Sequence, residues 1–396
     1  RRAAKMVIVD ADHPDIEEFI AWKAREEQKV AALVAGSKAH EVHLNAIFKA
    51  INDFSATGST IEDATSPAKN DALKKAIRAS TEAHIPQSYA NRILQYARQG
   101  FTSVEFPVLD TDWDSEAYST VSGQNSNNTV RITNKFLNAV KNDEQWELTN
   151  RSDGKVNKIV SARDIWAQIG EAAWACADPG VQYHDTINEW HTCPQDGEIR
   201  GSNPCSEYMF LDNTACNLAS INLLNVYNRD AGEIDLGKFT HACRLWTITL
   251  EISVMMAQFP SKEIADLSYK YRTLGLGYAN IGGLLMNMGL GYDSDEGRAV
   301  AAGITAVMCG QSYVTSSEIA ESLGVFSGYK KNAKDMLRVI GNHRVAAYGG
   351  EIPNDTLGHG SYEALTVHPV SLDLENCPTY LKSEAQALWD AALKNG

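Results

Sequence analysis

The chain has 396 residues, of which 44% are hydrophobic and 22% charged, and its formal net charge is −14. This length suits about two ordinary domains or one barrel, and the composition is that of a globular protein without a run apolar enough to span a membrane. The negative charge argues against a protein that holds a polynucleotide by broad phosphate neutralisation, although a mononucleotide needs only a few local donors.

The first predicted elements are a strand and a helix. Residues 6–10 form a β-branched run, residues 12–15 supply a turn and helix start, and apolar side chains then follow at helical spacing. Residues 35–105 are predicted to form a mostly helical insertion with a polar loop at 55–69.

Strand patterns resume at residues 103–106 and 129–133, with a loop at 118–128 between them. Further helices are predicted at 162–177, before the stop signal Asp-Pro-Gly, and in three later segments. These later segments are 236–258, 297–323 and 384–395. Strands interleaved with helices indicate an α/β fold, and the pattern alone leaves a barrel and an open sheet both possible.

The seven cysteines are spread widely, at positions 176, 193, 205, 216, 243, 309 and 377. An odd number without a signal peptide favours reduced thiols in the cytoplasm over a secreted disulfide framework. No spacing fits structural zinc, so no metal site is predicted. Cys176, Cys243 and Cys309 lie in helical patterns and are predicted to be core residues.

Candidate chemistry lies in the segment 201–224. It places an amide, a thiol and a carboxylate at alternating positions, Asn203, Cys205 and Glu207, and in an extended stretch these side chains leave the same side of the chain. A carboxylate beside a thiol disfavours the thiolate, so the trio suits loss of a hydrogen atom better than nucleophilic attack. The alternative is a small buried cysteine beside a surface glutamate.

This segment resembles the finger loop of ribonucleotide reductases. The resemblance is carried by N-P-C-S-E-Y at 203–208 and T-A-C-N-L-A-S-I-N-L at 214–223, and its form is similar to that of the class II enzymes, which use adenosylcobalamin. Other family-like stretches occur in the family's order, at residues 1–6, 13–19, 112–118, 178–183 and 272–278.

The resemblance implies a role for each site residue. Cys205 would carry the thiyl radical that removes the ribose 3′ hydrogen, Glu207 would be the general base on the 3′ hydroxyl, and Asn203 would hold the substrate hydroxyls. Cys216 would be one of two thiols that deliver electrons and end as a disulfide. Adenosylcobalamin would supply the initiating radical.

The resemblance also implies a specificity loop that couples the effector nucleotide to the choice of substrate base. Its residues are Ser122, Gly123, Gln124, Asn125, Ser126, Asn127 and Asn128. An ordinary polar turn is the alternative. The implied partners are a ribonucleotide substrate, dNTP or ATP effectors, a thioredoxin-type reductant and a second copy of the chain in a homodimer, with no polynucleotide and no membrane.

The implied fold is part of the ten-stranded α/β barrel of ribonucleotide reductases. The expected divisions are a barrel start at 1–34, the helical insertion at 35–105 and the barrel core at 106–396 with the finger loop. The partner of Cys216 is expected upstream of residue 1, and a phosphate-binding loop and a terminal cysteine pair after residue 396. The fragment alone is therefore expected to be catalytically incomplete.

The implied reaction is reduction of ribonucleoside diphosphates to deoxyribonucleotides for DNA synthesis. Two alternatives stay open, a class I large subunit with a separate radical subunit, and a nucleotide-binding fragment without turnover.

Two other features receive structural interpretations. Gly275, Gly277, Gly282 and Gly283 lack dinucleotide-site spacing and a preceding strand, so close helix packing is predicted for them. His184 and His191 lie near the finger loop, and structural roles are favoured over ligand contact for both.

Overall fold

The computed structural model describes residues 5–112, 114–353 and 355–396. Residues 1–4 and Trp113, which belong to two of the family-like stretches, lie outside the described residues. The chain forms two compact units, Arg1–Val130 with Asn138–Val181, and Arg131–Leu137 with Gln182–Gly396. None of the helices in the described ranges combines the length and apolar character needed to cross a bilayer.

The first part of the chain is largely helical. Its elements are β1 (Met6–Asp10), α1 (Ile16–Ser55), α2 (Ile61–Ala64), α3 (Asp71–Glu82), α4 (Gln87–Arg98), α5 (Glu116–Ser119), β2 (Asn127–Ile132), α6 (Asn134–Asn142), β3 (Gln145–Thr149), β4 (Val156–Ser161), α7 (Ala162–Cys176) and β5 (Gly180–Tyr183). One sheet has the strand order β1-β2-β5, and β3 pairs with β4 in antiparallel orientation.

The predicted strand at 6–10, the helix start after it, the strand near 129–133 and the helix at 162–177 are all confirmed. The helix α1 is longer than expected and runs through residue 35, so no element boundary marks the predicted start of the insertion. The division at 34/35 and 105/106 stays a prediction. The predicted loop at 118–128 begins inside the short helix α5.

The predicted strand at residues 103–106 is wrong. The segment has no strand pairing, and its alternating apolar side chains, Val104 and Phe106, pack against the hydrophobic cluster shared by α1 to α4. Alternation reports which side chains are buried and does not by itself report a pairing partner. The helical character predicted for the stretch before it is confirmed.

The second part of the chain holds the finger loop and most of the long helices. Its elements are α8 (His184–Glu189), β6 (Asn217–Asn222), β7 (Tyr227–Asn228), β8 (Glu233–Ile234), α9 (Leu236–Met256), α10 (Lys262–Tyr271), β9 (Leu274–Ala279), α11 (Ile281–Met288), α12 (Asp295–Leu323), α13 (Tyr329–Ala347) and α14 (Thr379–Asn395), with short 3₁₀ turns at Pro194–Asp196 and Leu223–Asn225. The helices predicted at 236–258, 297–323 and 384–395 are confirmed.

The strands β6 and β9 lie side by side and parallel, in register from Asn217 opposite Leu274 to Asn222 opposite Ala279. Their inner face packs on a core formed largely by α9, α11, α12 and α14. Two of the glycines assigned to helix packing, Gly275 and Gly277, therefore lie on a strand, which corrects that prediction. Gly282 and Gly283 do lie on a helix, α11.

Candidate active site

The radical-bearing position predicted at Cys205 lies at the tip of a hairpin. Residues 203–206 form a turn, closed by the Ser206 N–H donating to the Asn203 carbonyl at 3.0 Å, and Ser202 bridges Met209 in antiparallel orientation. Pro204 suits the second position of such a turn because its φ is preset. The stretch is therefore folded back, and the extended geometry assumed for Asn203, Cys205 and Glu207 is wrong.

Side chains hold the base of this hairpin. Asn203 Oδ1 accepts the Tyr208 N–H at 3.1 Å, across the turn. At the start of the hairpin, the buried Gln182 donates from Nε2 to Ser202 Oγ at 2.6 Å, and Ser202 Oγ donates to the Asn203 carbonyl at 2.7 Å. Asn203 Oδ1 thus stabilises the hairpin. Asn203 Nδ2 is the atom that can donate to a substrate hydroxyl.

The second thiol, Cys216, is half-buried just before β6. The residue before it is fixed at both ends, because the Ala215 N–H donates to Ser268 Oγ and the Ala215 carbonyl accepts from Thr273 Oγ1, each at 3.0 Å. The residue after it, Asn217, donates from Nδ2 to the Leu250 carbonyl at 2.8 Å. Cys216 is thereby held in place by its neighbours on both sides.

The structure brings Glu207 and Cys216 into one electrostatic environment. Burial raises the pKa of the Cys216 thiol, and the negative charge of Glu207 raises it further. A thiol with a raised pKa stays protonated near neutral pH, which suits donation of a hydrogen atom or a proton with electrons and disfavours attack as a thiolate.

A cleft of about 1210 Å³ opens beside the hairpin. Its lining includes Glu207, Tyr208 and Phe210 from the hairpin. Glu251 and Arg272, from later in the chain, also line it. Arg272 Nε lies 2.6 Å from Glu251 Oε1, and burial raises the pKa of Glu251 while Arg272 opposes that shift. The cleft thus combines apolar walls with a few charged groups, as a small-molecule site requires.

The predicted residues are not all gathered in this cleft. Glu207 lines it, whereas Asn203, Cys205 and Cys216 are not among the described residues that do so. Cys205 is exposed at the hairpin tip. The structure therefore associates Glu207 with Cys216 and with the cleft, and the assignments of all four residues stay predictions.

Sequence reasoning missed the residue next to Glu207. The Tyr208 hydroxyl lies 2.8 Å from Thr214 Oγ1 and 2.7 Å from Thr273 Oγ1, so three hydroxyl groups meet between the hairpin and the starts of β6 and β9. Tyr208 stands in the N-P-C-S-E-Y string, but its partners are 6 and 65 residues away. No spacing rule links residues so far apart.

The other cysteines and the histidines mostly have structural surroundings. Cys243 is fully buried, and all seven cysteines are free thiols. His191 is buried, with Nε2 3.1 Å from the Gly197 carbonyl and Nδ1 3.3 Å from the Cys193 N–H, and burial lowers its pKa. These bonds support the structural role favoured for His191, although it also lines the cleft.

The polar loop at 122–128, in the first unit, is held against the first turns of α1. The Ser122 N–H donates to Glu26 Oε2 at 3.0 Å, the Trp22 indole donates to Ser122 Oγ at 3.2 Å, and Lys23 donates to the Ser126 carbonyl. The buried Nε2 of Gln124 has no hydrogen-bond partner among the described residues. The loop is fixed at its ends and keeps an unused donor.

Comparison with known proteins identifies the family. The ribonucleotide reductase barrel domain matches residues 1–349. The chain belongs to the ribonucleotide reductase barrel family. This confirms the predicted fold class, an α/β chain forming part of the reductase barrel, although the described strands form one three-stranded and three two-stranded sheets.

Among the relatives of this chain, the vitamin B12-dependent ribonucleotide reductases of Bradyrhizobium diazoefficiens and Agrobacterium fabrum are 58% and 56% identical to it over its whole length. A more distant one, the vitamin B12-dependent ribonucleoside-diphosphate reductase of Thermoplasma acidophilum, is 31% identical over 56% of the chain. The chain spans 31%, 30% and 28% of the lengths of these relatives.

Proposed function

We propose that this chain supplies catalytic-barrel residues to an adenosylcobalamin-dependent ribonucleotide reductase. The observation that carries the proposal is the finger-loop hairpin, which exposes Cys205 at its tip and brings Glu207 near enough for its charge to raise the pKa of the Cys216 thiol. The names of the relatives support the cobalamin-dependent class over a class I subunit with a separate radical protein.

The proposed reaction replaces the ribose 2′ hydroxyl with hydrogen and releases water, while two thiols become one disulfide. Cys205, as a thiyl radical, takes the 3′ hydrogen and returns a hydrogen at the end. Glu207 accepts the 3′ hydroxyl proton, and Asn203 donates from Nδ2 to a substrate hydroxyl. Cys216, protonated because of its raised pKa, provides one of the two reducing thiols.

Cys205 is exposed at the hairpin tip of this chain, so no described residue covers the sulfur that would receive the radical. When bound, adenosylcobalamin supplies the first radical. The residues of this chain then determine which hydrogen is taken and where the proton goes.

A diphosphate substrate is proposed because the Thermoplasma acidophilum relative is named a ribonucleoside-diphosphate reductase. A nucleotide-reading role is proposed for the loop at 122–128, and the exposed amide of Asn125 supports it. Nucleotide effectors, a thioredoxin-type reductant and a homodimer complete the proposed assembly. We place the enzyme in the cytoplasm, where thiols stay reduced.

The test is turnover of a ribonucleoside diphosphate by the 396-residue chain and by a form extended to the length of the relatives, each with adenosylcobalamin and a dithiol. We expect the Cys205→Ala variant of the extended form to lose all turnover. Glu207→Gln should lower kcat by about 10²-fold to 10⁴-fold, as for loss of a general base.

The control variant is Cys176→Ala, which removes a half-buried helical thiol. It should retain turnover. Full activity of Cys205→Ala, or turnover without cobalamin, would contradict the proposal. Nucleotide binding without turnover in the extended form would support the alternative of a binding fragment.

A further inference from the structure

The hairpin that carries Cys205 and Glu207 has little apolar support at its tip. Cys205, Ser206 and Glu207 are all exposed, and Ser206 has a φ of 64°, a conformation that non-glycine residues seldom adopt. Polar contacts must therefore fix where the tip lies relative to the rest of the second unit.

Tyr208 makes such polar contacts both within the hairpin and with residues outside it. Its N–H is held by Asn203 Oδ1 at 3.1 Å, within the hairpin, and its hydroxyl reaches Thr214 Oγ1 and Thr273 Oγ1 at 2.8 and 2.7 Å. The residue directly follows Glu207. The bonds of the Tyr208 backbone and hydroxyl therefore restrain the peptide unit that joins it to Glu207.

The partners of the Tyr208 hydroxyl in turn determine the position of Cys216. Thr273 Oγ1 donates to the carbonyl of Ala215, the residue before Cys216, at 3.0 Å. Thr214 Oγ1 donates to the Leu211 carbonyl, which closes the turn leading to the same segment. Because both threonine hydroxyls donate to carbonyls, the single proton of the Tyr208 hydroxyl bonds one of the two threonine oxygens at a time, and either bond joins the residue after Glu207 to the residues before Cys216.

We propose that Tyr208 is a positioning residue, whose hydroxyl fixes Glu207 relative to Cys216 by joining the hairpin to the starts of β6 and β9. Tyr208 is half-buried, and burial raises its pKa, so the phenol keeps its proton for hydrogen bonding at neutral pH. The consequence for turnover rests on the proposed function, whereas the consequence for thiol placement does not.

The test measures alkylation of Cys216 by iodoacetamide in the 396-residue chain, from pH 7 to pH 10, by peptide mass spectrometry. Tyr208→Phe keeps the ring and removes the hydroxyl. We expect the freed hairpin to admit water and carry Glu207 away, so that the Cys216 profile moves to lower pH and the rate at pH 8 rises about threefold or more.

Three further variants separate this effect from general loosening. Tyr278→Phe also removes a tyrosine–threonine bond on β9, to Thr305 at 2.9 Å, but near the other end of the strand from Thr273, and should leave the Cys216 rate within about twofold. Thr273→Val should also shift the Cys216 profile, because it removes the contacts with both Tyr208 and the Ala215 carbonyl, whereas Thr273→Ser, which keeps the hydroxyl, should retain the wild-type profile.

Alkylation of the buried Cys243 thiol, measured in the same digests, reports unfolding of the chain. An unchanged Cys216 profile in Tyr208→Phe would overturn the proposal, as would an equal change in Tyr278→Phe or a parallel rise at Cys243. In the extended reductase, Tyr208→Phe should lower kcat about fivefold or more with little change in KM. A shifted Cys216 profile together with an extended form that has no reductase activity would support the positioning role and contradict the proposed function.

Discussion

At the scale of single residues, Gly275 marks the closest approach between β9 and β6. A Cβ built on Gly275 would lie 2.4 Å from Leu218 Cδ2 and 2.9 Å from the Asn217 carbonyl oxygen. The second of these is backbone and cannot move aside without separating the strands. We therefore expect Gly275→Ala to lower the free energy of unfolding by about 1–3 kcal/mol, the usual cost of overpacking.

The same strand provides the control for this prediction. A Cβ on Gly277 would meet Ser220 Oγ at 3.7 Å and the Ala219 carbonyl at 4.0 Å, which are ordinary contacts. Denaturant unfolding of both variants should therefore show a large loss for Gly275→Ala and a change within about 0.5 kcal/mol for Gly277→Ala. Equal losses of unfolding free energy in the two variants would mean that β9 tolerates no added side chain at either position. The close contact at Gly275 would then not be the cause.

Residue-level prediction from sequence relied on a local motif. Cys205 and Glu207 were singled out because their types and spacing fit radical chemistry, but their geometry was not predicted, since a turn at Pro204 replaces the extended stretch. Tyr208 and Gln182 were missed because their partners come from distant segments. Contacts between side chains far apart in sequence depend on the completed fold.

At the scale of elements, periodicity predicted the long helices well and short strands less well. The helices α9 and α12 were found within two residues of their bounds because each repeats apolar positions over many turns. The segment 103–106 has only one such repeat, and its burial comes from packing on helices. Short apolar alternation therefore predicts burial better than it predicts pairing.

The helical bundle of α1 to α4 depends on one buried amide. Asn70 begins α3, where its Oδ1 accepts the Leu73 N–H at 2.9 Å, and its Nδ2 donates to the carbonyls of Ala50 and Ala64 at 3.0 Å. Asn70→Ala removes the cap and both side-chain hydrogen bonds to the Ala50 and Ala64 carbonyls. We expect a loss of about 2–4 kcal/mol in the free energy of unfolding.

Hydrogen exchange of α3 and α4 would measure this loss locally. The matched variant is Asn157→Ala, which removes an exposed amide bond to Asn150 at 3.0 Å in the same unit. That change should cost about 0.5 kcal/mol or less. Similar protection factors in the two variants would show that the buried amide of Asn70 does not anchor the bundle.

At the scale of the whole molecule, acid should destabilise the chain well above the ordinary pKa of its carboxyl groups. His343 lies between the rings of Trp190 and Trp389, with both centroid distances 4.9 Å, and burial lowers its pKa to about 4. Burial lowers the pKa of His191 in the same unit as well. Asp196 and Asp355, whose pKa values are lowered to about 2, lose their stabilising effect only at much lower pH.

The direction of this change in stability with pH follows from the number of protons that the folded and unfolded states bind. An unfolded histidine binds a proton below its ordinary value of 6.5, while folded His343 stays neutral down to about pH 4, so the unfolded state takes up more protons in this window. The stability is fully present above pH 6.5 and falls as the pH drops toward 4. By pH 5 the loss from His343 is about 2 kcal/mol.

Urea unfolding followed by hydrogen exchange in α13 and α14, at pH 7.5 and pH 5, would measure this loss. His343→Phe keeps an aromatic ring between the two tryptophans and removes the titrating group, so its stability should fall less over the same interval. His241→Phe, which replaces an exposed histidine on α9, controls for the loss of one imidazole. Because the net charge of −14 diminishes as the pH approaches 5.2, self-repulsion weakens over this range, and any fall in stability must overcome that gain. An equal fall in the wild type and in His343→Phe would contradict the assignment to His343.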